Sequence, residues 1–291
     1  MFAAVLLANP ESADLTEKAV QDVQASMGGG AIKWLAEGIA AEFELDQIPE
    51  NFQAIWAELQ TQQIDLAIVP ARGRRKKILL ADMDSTMIEQ ECIDELADFA
   101  GHGDAVKAIT ARAMNGEMDF EEAINARVAL FEGMDASVID QVIAERITFM
   151  PGGATLLATM KANGAYAALV SGGFTDFTAY VADALGFDEN RANELLQEGG
   201  KLPGKPGLPI LGQQAKVDAL ADITARLGLT DGDVLAVGDG ANDLPMLTRA
   251  CLGVALHAKP AVQEAAKVKL NFADLTGLLY LQGYTSEEFA T

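Results

Sequence analysis

A chain of 291 residues, half of them hydrophobic, can bury a sizeable core and has room for two or three domains. Its 43 acidic residues outnumber its 21 lysines and arginines, and the net charge of −22 opposes binding to nucleic acid or to an anionic membrane, so an anionic ligand needs a local positive pocket. No apolar run reaches the roughly 20 residues that span a bilayer, the first residues carry no signal-peptide pattern, and the distant Cys92 and Cys251 suit neither a disulfide framework nor a zinc site. A cytoplasmic protein with two core thiols is expected.

Residues 1–71 read as a small α+β unit. Strands are predicted over 2–8, 31–36, 39–45 and 64–69, and helices over 11–27 and 51–62. The order βαββαβ is ferredoxin-like, or ACT-like. No residues of a site stand out in it, so an interaction module is expected, with a homodimer through this unit as one use. Gly28-Gly29-Gly30 reads as a helix stop rather than a phosphate cradle. The dense basic run from Arg72 to Lys77 reads as a short solvated linker, residues 72–76, facing an acidic surface, in preference to a nucleic-acid patch.

The chain turns on Lys77-Ile78-Leu79-Leu80-Ala81-Asp82-Met83-Asp84-Ser85-Thr86, an apolar run ending in two carboxylates and two hydroxyls. That pattern predicts a buried parallel strand delivering polar groups to its carboxyl end, where open α/β sheets bind ligands. A turn beginning at Asp82 would give Asp82 and Asp84 separate duties, as nucleophile and as neighbouring acid or base. The plainer alternative is an Asp-Ser-Thr cap on the next helix. Helical spacing follows over 89–100, 105–115, 120–130 and 137–145, with no strand between 87 and 148. This inserted block, residues 88–147, reads as a cap that covers the strand-end pocket and excludes water. Within it Glu91 is placed to meet a ligand ammonium and Arg127 to fork a ligand carboxylate, against the default of two surface charges.

Pro151-Gly152-Gly153 opens a helix over 154–162, and a second apolar strand over 166–170 ends in Ser171-Gly172-Gly173-Phe174. A hydroxyl followed by two glycines lets backbone N–H groups approach a phosphate at the next helix's N-terminus, although Ser-Gly-Gly is also a common turn. Residues 181–185 continue a helix, and 190–212 form a polar hairpin or excursion. Lys216 opens a helix over 216–227, where the macrodipole disfavours a cation and a task is suggested. A third strand, 234–237, ends in Gly238-Asp239-Gly240-Ala241-Asn242-Asp243. Four acids gathered at one sheet edge repel each other unless a hard cation binds; oxygen ligands suit Mg2+, and the spacing does not fit an EF-hand loop. Short strands over 252–255 and 268–271 and a helix over 275–281 complete an α/β, Rossmann-like parallel-sheet core of residues 77–87 and 148–291.

Asp82-Met83-Asp84-Ser85-Thr86, Ser171-Gly172-Gly173, Lys216 and the string from Gly238 to Asp243, in this order, resemble the four motifs of the haloacid dehalogenase-like hydrolases over roughly residues 77–281. The strings 82–95 and 238–246, with Glu91 and Arg127 in the helical block, resemble the phosphoserine phosphatase family within that group. The resemblance implies that Asp82 attacks phosphorus to form an aspartyl-phosphate, while Asp84 protonates the leaving serine oxygen and then activates water. It implies Mg2+ on the Asp82 carboxylate, the Asp84 carbonyl and Asp239. Lys216, the Ser171 hydroxyl and the Gly172 N–H would spread phosphoryl charge, with Asn242 on phosphate and Asp243 orienting Lys216 or a metal-bound water. Met114 and Phe120 would shield the pocket, and Glu91 and Arg127 would recognise the zwitterion of phosphoserine. Such helpers are needed because a carboxylate about 4 Å from a phosphate dianion meets about 8 kcal/mol of repulsion at an effective dielectric of 20. Two rivals remain: a phosphotransferase passing the group to another alcohol such as homoserine, and a regulator that holds a phosphoryl group or an amino acid without turnover. Asp84 speaks against the second, because a long-lived acyl-phosphate needs no acid beside it.

Overall fold

Phe2–Leu7 (β1) is apolar throughout because both of its faces are covered. The computed structural model describes residues 1–290, the side chain of Met114 excepted. β1 lies inside a four-stranded antiparallel sheet with Lys33–Ala36 (β2), Ala40–Leu45 (β3) and Asp65–Pro70 (β4), in the order β2-β3-β1-β4. Ala4 and Leu6 pack with residues of Glu17–Met27 (α1) and Phe52–Thr61 (α2), while Ala3, Val5 and Leu7 join the core of the larger sheet. This is the ferredoxin-like arrangement. α1 begins at Glu17 rather than at residue 11 because the Thr16 hydroxyl caps it, accepting the Ala19 N–H at 3.2 Å.

The basic run corrects the expectation of a solvated linker. Arg74 donates to Glu42 Oε2 at 2.6 Å and to the carbonyls of Leu281 and Tyr280 at 3.0 and 3.2 Å. Lys76 is buried, its ammonium on the carbonyls of Gly73 and Gly232 at 2.8 and 2.9 Å. Across the same joint the buried Asp65 carboxylate accepts the N–H groups of Asn271, Phe272 and Ala273 at 2.8, 2.9 and 2.9 Å. Carbonyls and one glutamate satisfy Arg74 and Lys76, and backbone N–H groups satisfy Asp65, so part of the run is structural mortar. Of the two thiols only Cys92 is in the core; Cys251 is exposed.

Six parallel strands form the second sheet: Ile78–Ala81 (β5), Tyr166–Phe174 (β6), Glu189–Asn193 (β7), Val234–Gly238 (β8), Leu252–Leu256 (β9) and Val268–Leu270 (β10). Their order is β10-β9-β8-β5-β6-β7. From β5 the chain builds outward through β6 to β7, then returns to place β8, β9 and β10 on the other side. The direction reverses between β5 and β8, and a crevice opens at their carboxyl ends. β7 was hidden from the sequence because it is a polar edge strand, with Arg191 turned to Glu189 and Asp222. The rest of the expected excursion contains a hairpin, bridged at Leu195–Pro206 and Glu198–Lys201.

Between β5 and β6 runs a helical insert of Cys92–Phe99 (α3), Gly103–Met114 (α4), Phe120–Ala129 (α5) and Val138–Arg146 (α6). An antiparallel bridge between Ile88 and Phe149 closes its neck. Gly153–Ala162 (α7), Thr175–Leu185 (α8), Gln213–Leu227 (α9), Leu244–Arg249 (α10), Pro260–Ala265 (α11) and Gly277–Leu281 (α12) connect and flank the strands. Among the described residues no helix is long and apolar enough to cross a membrane.

Candidate active site

Asp82 follows the last residue of β5, and its N–H still pairs with the Val237 carbonyl of β8 at 3.0 Å. Beyond it the chain turns at once. Ser85 takes a left-handed φ of 54°, and the N–H groups of Thr86, Met87 and Ile88 converge on the Met83 carbonyl at 3.2, 2.8 and 3.1 Å. The turn separates the two carboxylates, which a spacing of two would have left on one face in extended backbone. Asp84 Oδ1 accepts the Cys92 N–H of α3 at 3.0 Å, whereas Asp82 Oδ1 lies 2.6 Å from the Lys216 ammonium.

Lys216 is only 2% exposed and sits within the first turn of α9, which starts at Gln213 rather than at the lysine itself. Its ammonium also meets Asp243 Oδ1 at 2.5 Å, and Asp243 Oδ2 accepts the Gly240 N–H at 2.9 Å. Gly238 is required here because a Cβ would run into the Asp243 carboxylate. Asp239 is buried on the same loop, with the Thr86 hydroxyl 3.4 Å from its Oδ1.

Carboxylate oxygens of Asp82, Asp239 and Asp243 lie within 4.8 Å of one another. One ammonium cannot neutralise three acids. Burial, and then Asp243, push the Asp82 carboxyl upward, with Lys216 pulling it back. Burial followed by Asp243 and Glu91 raises Asp239 to about 7, and burial followed by Glu91 raises Asp84 to about 6. Burial opposes the Lys216 charge, but Asp82 and Asp243 outweigh it and keep the amine protonated. Asp243 already spends both oxygens on protein donors, while Asp82 Oδ2 and the Asp239 carboxylate retain unused lone pairs. An all-oxygen donor set carrying excess negative charge fits a hard divalent cation.

β6 runs on to Phe174 instead of ending at residue 170, so Ser171 is buried within the strand, and its Oγ accepts the Gly173 N–H at 2.9 Å. A Cβ on Gly173 would come within 2.9 Å of Asp84 Oδ2, so glycine permits this close approach. Asn193 was not foreseen. Buried on β7, it donates to the carbonyls of Gly172 and Leu211 at 2.8 and 3.2 Å and accepts the Leu211 N–H at 2.6 Å, fixing the irregular glycine stretch of β6. Only its position on a strand invisible to periodicity could have revealed it.

The helical insert roofs this floor. Glu91 Oε1 accepts the Ser85 hydroxyl at 2.9 Å; Arg127 makes one long bond, Nε to the Ala123 carbonyl at 3.3 Å, and among the described residues no ion pair. Asp82, Asp84, Glu91, Phe120, Arg127, Ser171, Gly172, Asp239 and Asn242 all line one cavity of about 300 Å³. Lys216 and Asp243 join it through Asp82. Met114, expected to shield the pocket, has its side chain outside the described residues. Ile93, Thr110, Ile124 and Lys259, which the sequence did not single out, also line the cavity.

The model of the haloacid dehalogenase-like hydrolase family matches residues 79–248, more than half of the chain. The chain belongs to that family. Among members with a stated activity, a phosphoserine phosphatase of Albidiferax ferrireducens is 45% identical over 217 residues, 73% of this chain and 92% of that protein. A phosphoserine phosphatase of Streptomyces coelicolor is 43% identical over 237 residues, 81% of this chain, and this chain spans 58% of its length. A solved haloacid dehalogenase family hydrolase of Salmonella enterica serovar Typhi superposes with a TM-score of 0.86 at 30% identity, covering 96% of this chain and 98% of that one. The likeness to that hydrolase extends over the N-terminal sheet as well as the core.

Proposed function

We propose that this hydrolase is a Mg2+-dependent phosphoserine phosphatase that releases serine and phosphate through an aspartyl-phosphate on Asp82. The observation that carries the reading is one cavity in which two neighbouring aspartates have opposite surroundings, with Glu91 and Arg127 at the roof. Asp82 is tied to a buried ammonium; Asp84 has one backbone donor and a carboxyl raised to about 6. The names of the relatives from Albidiferax ferrireducens and Streptomyces coelicolor support the substrate.

In this reading an Asp82 oxygen forms a bond to phosphorus as the bond from phosphorus to the serine oxygen breaks. Protonated Asp84 gives its proton to that leaving oxygen. The Asp84 carboxylate then takes a proton from water, whose oxygen attacks phosphorus and returns Asp82 as a carboxylate. A carboxyl near 6 serves both halves at neutral pH. Lys216, the Ser171 hydroxyl and the Gly172 N–H spread charge on the transferring group, Asn242 contacts it, and Asp243 holds Lys216 in place. Asp82 and Asp239, with the Asp84 carbonyl, would hold Mg2+, which when bound neutralises phosphoryl charge and keeps Asp82 ionised.

Glu91 takes the ammonium and Arg127 the carboxylate of the substrate, so a sugar phosphate would leave two half-buried charges unpaired. Phe120 lines the same cavity with its ring beside Gly172. The division that goes with this assignment is a module of residues 1–71, a core of 77–87 and 148–291, and a cap of 88–147. Phosphate release from a panel of phosphorylated amino acids and sugars, with and without EDTA, tests it. Phosphoserine should be the preferred substrate and EDTA should abolish turnover; a sugar phosphate turned over faster would end the assignment.

A further inference from the structure

Six charged side chains line the cavity: Asp82, Asp84, Glu91 and Asp239 against Arg127 and Lys259. A phosphorylated amino acid carries more negative than positive charge, and it must enter an acid-lined mouth on a protein of net charge −22. Arg127 is committed to the carboxylate end. Lys216 lies beneath Asp82, 2% exposed and engaged by two carboxylates, so it meets a phosphoryl group only after docking. Lys259 differs from both. It is exposed, and among the described residues it forms no ion pair.

The loop that presents Lys259 is braced. It follows β9, where His257 adopts a left-handed φ of 45°, a conformation that non-glycine residues keep only when their surroundings over-determine it. The His257 N–H donates to the Leu270 carbonyl at 2.7 Å, and its ring Nε2 lies 2.9 Å from the Ala273 carbonyl. Ala258 is buried, its carbonyl accepting the Gln263 amide at 2.7 Å, and Pro260 opens α11 directly after the lysine. The backbone of Lys259 is therefore fixed at the mouth while its ammonium stays in solvent. Its charge is felt on both sides of the cleft, opposing the upward push on Asp239 of the floor and on Asp94 of α3.

We propose that Lys259 is the substrate-capture residue of this site, its ammonium drawing the phosphoryl group of phosphoserine past the acidic rim toward Ser171, Gly172 and Lys216. This assignment rests on the phosphatase reading. Lys259 is an exposed cation that acts before chemistry, so it governs binding more than turnover, and salt screens it.

Steady-state hydrolysis of phosphoserine by the full chain with Mg2+, from about 20 to about 300 mM salt, tests it with Lys259→Gln and Lys259→Arg. Lys259→Gln should lower kcat/KM about three- to tenfold at low salt, mainly through KM, and the deficit should shrink as salt rises. Lys259→Arg, which keeps the charge, should recover most of the loss. A Gln variant equal to wild type at low salt, or a deficit in kcat alone that ignores salt, would overturn the capture role while leaving the phosphatase reading intact. A wild-type protein inert toward phosphoserine would instead remove that reading and the Lys259 assignment with it.

Discussion

On the floor of the cavity most charges are held by a neighbour: Lys216 by Asp82 and Asp243, Asp243 by Gly240, Asp84 by Cys92, with Asp239 left to a cation. On the roof Arg127 has a single long bond to a carbonyl and Glu91 a single hydroxyl. The floor is thus set before any ligand arrives, which is the condition for stabilising charge that develops during reaction. The roof leaves its charges to be completed by the substrate, which is the condition for selecting one. Substitutions should therefore divide, floor changes acting on kcat and roof changes on KM.

The largest effect belongs to Asp82→Asn, expected to lower kcat for phosphoserine by at least about 10⁴-fold, because the amide is no nucleophile. Phosphate release by a variant shown to be folded checks it, and full activity would end the assignment. Asp84→Asn should cost about 10²–10⁴-fold in kcat, the range for one general acid and base. A variant impaired only in KM would move Asp84 from the floor's chemistry to the roof's recognition.

Stability against pH tests the floor's excess charge. Asp239 and Asp84 sit at about 7 and about 6 in the fold and near 3.8 when unfolded, so the folded state holds protons the unfolded chain has released. Their contribution is fully present below about pH 4 and is lost as pH rises through about 7. In EDTA, Asp239→Asn should gain on wild type over that window by on the order of a few kcal/mol in thermal unfolding. Mg2+ should reverse the order by binding the ionised carboxylates of wild type. A difference that stays flat with pH would mean the acids are not in conflict.

The smallest of these effects is on the roof. Arg127→Ala should raise KM for phosphoserine by about 10- to 100-fold with little change in kcat. For a phosphomonoester without an amino-acid end it should change neither. Equal losses on both substrates would place Arg127 in the structure of the insert instead of in recognition.

The ends of β5 and β8 were legible in the sequence because both are buried runs that stop at polar residues, which marks Asp82 and Asp239; β6 instead continues through Ser171 to Phe174, four residues past the expected end. Polar elements were not legible. β7 lacks apolar alternation as an edge strand, and with it Asn193 escaped notice. Arg74 and Lys76 read as solvated because charge says nothing of where carbonyl partners will stand, and Leu281 is more than 200 residues from Arg74 along the chain. Lys259 carried no signal at all, since its role depends on which loop reaches the mouth.

Local pattern alone determined that β5, β6 and β8 are buried, that β5 and β8 stop at aspartates and that carboxylates, a hydroxyl and glycines follow these apolar runs, because burial and turn chemistry act between near neighbours in sequence. Only the tertiary structure decided the pairing of Lys216 with both Asp82 and Asp243, the crowding of three acids within one cation's reach, and the seam that buries Asp65 and Lys76. Those depend on distances between residues far apart in the chain, which the crossover between β5 and β8 sets and no single segment encodes.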